Sequence, residues 1–290
     1  MCFLCDLKSP APVQPDAQPE HVWTARRGFL LAGTAAAAGA ALPALAQVNV
    51  GEGSTLRNLV PAEELEKAAG QQYGQMMAEA ESKKLLMPAS NPQVQRLQTI
   101  ARRIIPHSAQ WNSRAKDWKW EVNLVKSDQV NAFCMPGGKI AFYTGILDKL
   151  GLSDDETAMI MGHEMAHALR EHARSRVAKS NATGIGLSVV SQLLGLGQLG
   201  DIAANLGTQL LTLKFSREDE TEADLVGLEL AARSAYQPRA AVTLWQKMTA
   251  NAGGQGAGFL STHPSGPNRI RELEANVPKV QGLYEQARRG

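Results

Sequence analysis

His163-Glu164-Met165-Ala166-His167 constrains this chain more than any other stretch. On a helix of about 3.6 residues per turn, positions 163 and 167 lie only about 40° apart, so two imidazoles can reach one ion. Glu164 lies about 100° round the same wheel and aims beside that ion, an offset that suits a base better than a ligand. Neutral imidazole is a good zinc ligand, and water on zinc has its pKa lowered to about 7, within reach of a neighbouring carboxylate. The flanks make the segment helical. Ser153 followed by Asp154, Asp155 and Glu156 is a capping box, and Met159, Ile160, Met161 and Ala166 carry the helix on with Gly162 as its one interruption. The expected chemistry is zinc-assisted hydrolysis, with His163 and His167 as ligands of one zinc per chain and Glu164 as base. His172 lies about 140° from His167 on that wheel, so it is expected to be a solvated polar residue.

A third ligand can be sought the same way on the helix opened by Ser216. Positions 218, 222, 229 and 233 gather Glu, Glu, Glu and Arg, which predicts a solvated stripe. Positions 220, 224, 227, 228 and 231 gather Glu220, Asp224, Gly227, Leu228 and Ala231, which predicts the buried face. Carboxylates on a buried face need a cation or strong hydrogen bonds. Glu220 is therefore the expected third ligand, and Asp224, one turn on, the expected acceptor for a histidine N–H.

The 30 basic and 28 acidic residues are nearly balanced and form no polybasic run, so no nucleic-acid partner is expected. Residues 1–22, rich in proline, predict a disordered leader. Arg26-Arg27 followed by an Ala/Gly-rich apolar run to Leu42 and then Ala44-Leu45-Ala46 has the regions and cleavage site of an export signal. The paired arginines resemble a twin-arginine signal. Cleavage after Ala46 predicts a periplasmic protein whose single domain spans 47–290; an uncleaved signal anchored in the inner membrane is the competing reading. Cys2 and Cys5 precede that site, which leaves Cys134 as an expected small buried side chain.

Apolar spacing predicts amphipathic helices over 61–87 and 92–105. From Trp118 to Leu124 the period changes to that of a strand, and Asn131–Met135 and Lys139–Tyr143 read as a hairpin joined by Pro136-Gly137-Gly138. Its free edge is a template for an extended peptide, which makes Asn131, Phe133, Gly137 and Gly138 substrate-binding candidates; a plain structural hairpin fits the pattern equally well. Residues 184–213 are apolar but broken by six glycines, Asp201 and Asn205, which predicts a mobile cover over the cleft or a membrane-surface contact.

Taken together, His-Glu-x-x-His at 163–167, Glu-x-x-x-Asp at 220–224, Asn131-Ala132-Phe133 with Pro136-Gly137-Gly138, and Thr262-His263-Pro264 with Arg269 resemble the gluzincin metallopeptidases. That group includes the heat-shock protease HtpX and the CAAX prenyl endopeptidases, and the nearest likeness is to its periplasmic BepA-like branch. The resemblance covers about residues 60–275. It implies an α+β, predominantly helical fold in which a gluzincin-type active helix packs against a small antiparallel sheet in a single catalytic domain. It also implies that His263 and Arg269 contact the substrate or transition state and that Asn131 lies over the cleft. The chain departs from the group in lacking a run of membrane spans and a tetratricopeptide array. The function expected is a zinc endopeptidase acting on unfolded or misfolded envelope proteins, with a chaperone-like assembly factor of latent proteolysis as the alternative. His263 sits among two prolines and a glycine, so a loop is expected there. From such a loop it could fill the open zinc position, or only contact substrate.

Overall fold

Hydrophobic spacing decides most of the helices, and the computed structural model describes them over residues 48–182, 214–251, 257–264 and 268–290. The predicted export signal and the 184–213 segment fall outside the described residues. Helix α1, Ala62–Ser82, buries Leu65, Ala69, Tyr73, Met77 and Ala80, about one residue per turn, on one side. Helix α2, Pro92–Ile104, opens on Asn91, whose side chain accepts from the Gln93 N–H at 2.9 Å, and buries Val94, Leu97, Ile100, Ala101 and Ile104. The expected helix to residue 87 is cut short at Ser82. Lys84 turns with φ of 57°, and Leu86 then bridges to Val125 while the Met87 N–H donates to the Leu124 carbonyl at 2.9 Å. Those backbone groups find partners in the sheet that a helix end would leave unpaired.

The strands are β1, Glu121–Val125, β2, Ala132–Met135, and β3, Lys139–Tyr143, in the order β1-β3-β2. β2 runs antiparallel to β3, but β1 runs parallel to it, so the sheet is mixed and the wholly antiparallel sheet expected from sequence is corrected. The reason is topological. The chain reverses twice between β1 and β3, and the hairpin strand β2 takes the outer position, leaving β3 in the centre. Trp118 and Trp120 precede the strand and pack on each other with ring centroids 5.3 Å apart. The hairpin turn needs its glycines: Gly137 and Gly138 have φ of 83° and 78°, and a Cβ on Gly138 would stand 2.7 Å from the Trp120 ring.

Helix α3, Thr144–Leu150, leads into α4, Asp154–Leu169, which bears the His-Glu-x-x-His motif. After it come α5, His172–Ala182, and then α6, Arg217–Arg233, α7, Ala240–Ala250, α8, Ala257–Thr262, and α9, Arg269–Arg289. α4 and α6 start alike. Ser153 and Glu156 form a reciprocal capping box, and Ser216 and Asp219 form another. The two helices then cross at glycines: a Cβ on Gly162 would lie 2.7 Å from the Gly227 carbonyl, and one on Gly227 would lie 2.6 Å from the His163 nitrogen. This contact sets the Glu220 side of α6 against the His163 side of α4. The main core gathers α2, α4, α6 and α7 around Leu97, Ile160, Met161, Leu230 and Trp245. Among the described residues, no helix is long and apolar enough to cross a membrane.

One face of α6 departs from expectation. Glu229, placed by the wheel on a solvated stripe, is fully buried. Its carboxylate accepts from the Val48 N–H at 2.6 Å and from Arg233 Nε at 2.8 Å, because residues 48–51 lie across this side of the helix.

Candidate active site

His163 and His167 stand one turn apart on α4, Glu220 reaches them from α6, and His263 follows α8. His163 Nε2 lies 3.1 Å from His167 Nε2 and 3.2 Å from His263 Nδ1, and His263 Nδ1 lies 3.0 Å from Glu220 Oε1. One ligand atom from each of the four falls within 4.8 Å of all the others, and all four side chains are buried.

The donor set fits a zinc ion. Asp224 Oδ1, an acceptor, lies 3.0 Å from His163 Nδ1, so that nitrogen carries the proton and His163 Nε2 presents a lone pair. Burial, helped by the neighbouring histidines, pushes His167 well below the usual imidazole range and keeps it neutral. Lone pairs and a carboxylate converging in a buried place need a cation. Donors about 2.0–2.1 Å from one zinc at tetrahedral angles stand ~3.3 Å apart, near the spacings found here.

The carboxylates are prepared for this. Burial alone would raise Asp224, yet the Arg269 guanidinium and the His163 N–H hold it below its ordinary value. Glu220 is likewise lowered against the effect of burial, by His263, His163 and Arg269. Arg269 donates to Asp224 through Nε at 2.6 Å and Nη2 at 2.7 Å, and to Glu220 through Nη1 at 2.8 Å. It stacks over Trp245 with its guanidinium carbon 3.4 Å from the ring centroid. Arg269, expected to contact substrate or transition state, is buried against these carboxylates and does not line the cleft beside Glu164.

Glu164 stands beside the ligands, where the sequence places a base. Among the described residues its buried Oε1 has no hydrogen-bond partner, and it lies 3.5 Å from His263 Nε2. Burial pushes its carboxyl above the usual range, with His263 opposing. The cleft beside it is lined by Asn131–Pro136 of the β2 edge, with His167, Phe215 and His263 opposite. Asn131 and Phe133 thus line this cleft. Gly137 and Gly138 do not, because their turn backs onto Glu66 and Trp120. Cys134, expected to be buried, is half-buried on the cleft wall, and burial of its thiol, then the Glu164 charge, push its pKa well up. His263 is the last link of a helix: its N–H donates to the Phe259 carbonyl at 2.9 Å and its ring stacks on Phe259. The expected loop can begin only beyond it, where residues 265–267 lie outside the described residues.

His172 was missed. It is buried, with Nδ1 2.9 Å from His167 Nδ1 and Nε2 3.3 Å from Glu222 Oε2. The helical wheel fails here because α4 ends at Leu169 and Glu171 takes a left-handed φ of 56°, so the chain turns before α5 and brings His172 beneath His167. No glycine or proline marks that turn in the sequence.

Residues 91–277 match the sequence model of Peptidase family M48. The chain belongs to peptidase family M48. M48 peptidases are zinc-dependent, and the four-residue cluster here can hold one such ion. Mitochondrial metalloendopeptidase OMA1 of Schizosaccharomyces pombe is 35% identical over 212 residues, covering 72% of this chain and 60% of that protein. Metalloprotease LoiP of Escherichia coli is 28% identical over 210 residues, covering 69% of this chain and 76% of that protein. The Beta-barrel assembly-enhancing protease of Escherichia coli is 24% identical over 176 residues, covering 57% and 36%. The chain thus spans less than two thirds of the length of the first of these relatives.

Held by His163, His167 and Glu220, a zinc ion would supply Lewis acidity to a carbonyl and acidity to a water in the cleft. Glu164 Oε1, aimed into the same space, is placed to hold a proton there, where it could take one from an attacking water and give one to a departing amine nitrogen. Burial would lower His263, but the Glu164 and Glu220 charges outweigh it and raise the imidazole above its ordinary value, and its ring faces the same space as the Glu164 carboxylate.

Proposed function

We propose that the protein is an exported zinc metalloendopeptidase that cuts unfolded or misassembled polypeptides of the cell envelope. The observation that carries this reading is the juxtaposition of the unpartnered Glu164 Oε1 with the outer strand β2 across one cleft. An outer strand binds an extended chain through its backbone and reads little of the side chains, which suits unfolded substrates. The bacterial relatives named as a metalloprotease and as a β-barrel assembly-enhancing protease support the setting and the BepA-like branch. Export by the twin-arginine route rests on Arg26, Arg27 and the Ala44-Leu45-Ala46 site, and would lead to a periplasmic or inner-membrane-anchored protein. The 184–213 segment is the candidate for a membrane-surface contact. Incubating the purified protein with unfolded casein tests the activity: cleavage should require zinc and fall by about 10²–10⁴-fold in Glu164→Gln at unchanged zinc content. Cleavage that survives chelation would remove the reading.

A second reading, latency in a chaperone-like assembly factor, is favoured by His263 Nδ1 standing 3.2 Å from His163 Nε2 and 3.0 Å from Glu220, among the ligands themselves. As a fourth ligand it would occupy the position a nucleophilic water needs. His263→Ala should then raise peptidase activity. A loss on the order of a hundredfold would instead make His263 a stabiliser of the developing oxyanion.

A further inference from the structure

We infer that His172 is a positioning residue for the zinc ligand His167, and that Glu222 and Arg170 fix its orientation; the inference rests on the zinc reading of the site. The hydrogen-bond chain assigns each proton. Arg170 Nε donates to Glu222 Oε2 at 2.8 Å, which fixes that carboxylate. Glu222 can only accept, so His172 Nε2, 3.3 Å away, carries a proton, and a His167 that keeps Nε2 free for the metal carries its own proton on Nδ1, facing His172 Nδ1. His172 Nδ1 then holds a lone pair and accepts the His167 Nδ1–H at 2.9 Å. His167 is left with its lone pair on Nε2, the nitrogen that faces His163, Glu220 and His263. Among the described residues nothing else takes the His167 Nδ1 proton.

Phe215 also touches His167, its ring stacked at 3.9 Å and 25°. That contact fixes the tilt of the imidazole but offers no acceptor, so it cannot choose between the two tautomers. His172 makes that choice. The chain continues outward, since Arg170 Nη2 donates to the Gly51 carbonyl at 2.9 Å and so ties the relay to residues 48–51. A ligand whose second nitrogen is held by an acceptor is pre-oriented and more basic, and removing such a partner commonly costs about 10–100-fold in metal affinity.

His172→Leu keeps the volume and removes the acceptor, whereas His172→Asn returns an oxygen near the position of Nδ1. In chelator competition, His172→Leu should bind zinc about 10–100-fold more weakly than the wild type, and His172→Asn should recover most of that loss. The cobalt-substituted protein should show a changed visible spectrum in His172→Leu and a near-native one in His172→Asn. For peptide cleavage at saturating zinc, kcat should fall in His172→Leu with KM little changed, because the substrate edge is untouched. Should His172→Leu not fold, Glu222→Ala, at a partly exposed site, is read by the same competition and should weaken zinc binding severalfold. Native zinc affinity in a folded His172→Leu, or an Asn variant as weak as the Leu one, overturns the assignment. A wild-type protein that binds no zinc at all would instead remove the reading of the site on which the assignment stands.

Discussion

The two ligands of α4 are backed in opposite ways. Behind His163 lies a buried ionic assembly in which Asp224 takes the imidazole proton and is itself gripped by Arg269 at two points. Behind His167 lies a second imidazole, that of His172, and the carboxylate comes only after it, at a position where Glu222 is partly open to solvent. The first arrangement is strong and brittle: each charge is compensated by a neighbour with no water to replace it. The second places its charges farther from the site and nearer water, so removing one of them is cheap for the fold. The same task, holding a ligand's proton, is thus coupled to global stability on one side and nearly decoupled on the other.

The largest effect should come from breaking the His163 side. Asp224→Asn leaves Arg269 with less than its share of charge in a buried site, and removing one partner of a buried pair costs about 3–5 kcal/mol, read by denaturant unfolding of the metal-free protein. If the loss is under about 1 kcal/mol, the contrast between the two sides is wrong. The same carboxylate predicts a pH dependence. Asp224 is lowered in the folded chain, so its contribution to stability is present above the ordinary aspartate value of 3.8 and is lost as pH falls through the folded value below it. Acid unfolding of the metal-free wild type should therefore steepen below that value, and Asp224→Asn should flatten this part of the curve.

Next comes the contact that joins the sides. Gly227→Ala inserts a methyl 2.6 Å from the His163 backbone nitrogen, and overpacking of this kind costs about 1–3 kcal/mol. Because the strain falls on the helix crossing, zinc affinity should drop together with the melting temperature. A variant that loses stability but keeps native zinc affinity would show that the crossing does not set the ligand geometry. The smallest effect belongs to Glu222→Gln. Its amide oxygen still accepts from His172, so stability should change by less than about 1 kcal/mol and zinc affinity by less than about threefold. A larger change in unfolding free energy than in Asp224→Asn would reverse the comparison.

Much of the site was legible because it depends on local spacing. His163, Glu164 and His167 follow from the helix period, and Glu220 with Asp224 from choosing between two faces of a second helix, with both helices announced by capping boxes. The hairpin was legible from its glycine turn and its alternation. Features that depend on distant residues were not. His172 was misplaced because a left-handed Glu171 breaks the helix without a glycine to signal it. Glu229 was read as solvated because the residues that cover it, near Val48, are distant in sequence. The direction of β1 was missed because strand alternation is the same in parallel and antiparallel pairs.

By itself the sequence determined the chemistry: two imidazoles, a base and a carboxylate at helical spacing commit the chain to a metal, since spacing along one helix is a property of adjacent residues. Only the tertiary structure decided what stands behind each ligand. Which side chain takes a ring proton depends on where helices cross and where they end. Here the crossing rests on Gly162 and Gly227, and the ending on the turn at Glu171, which carries His172 beneath His167. Such contacts join residues far apart in the chain, and packing selects them where no local period can.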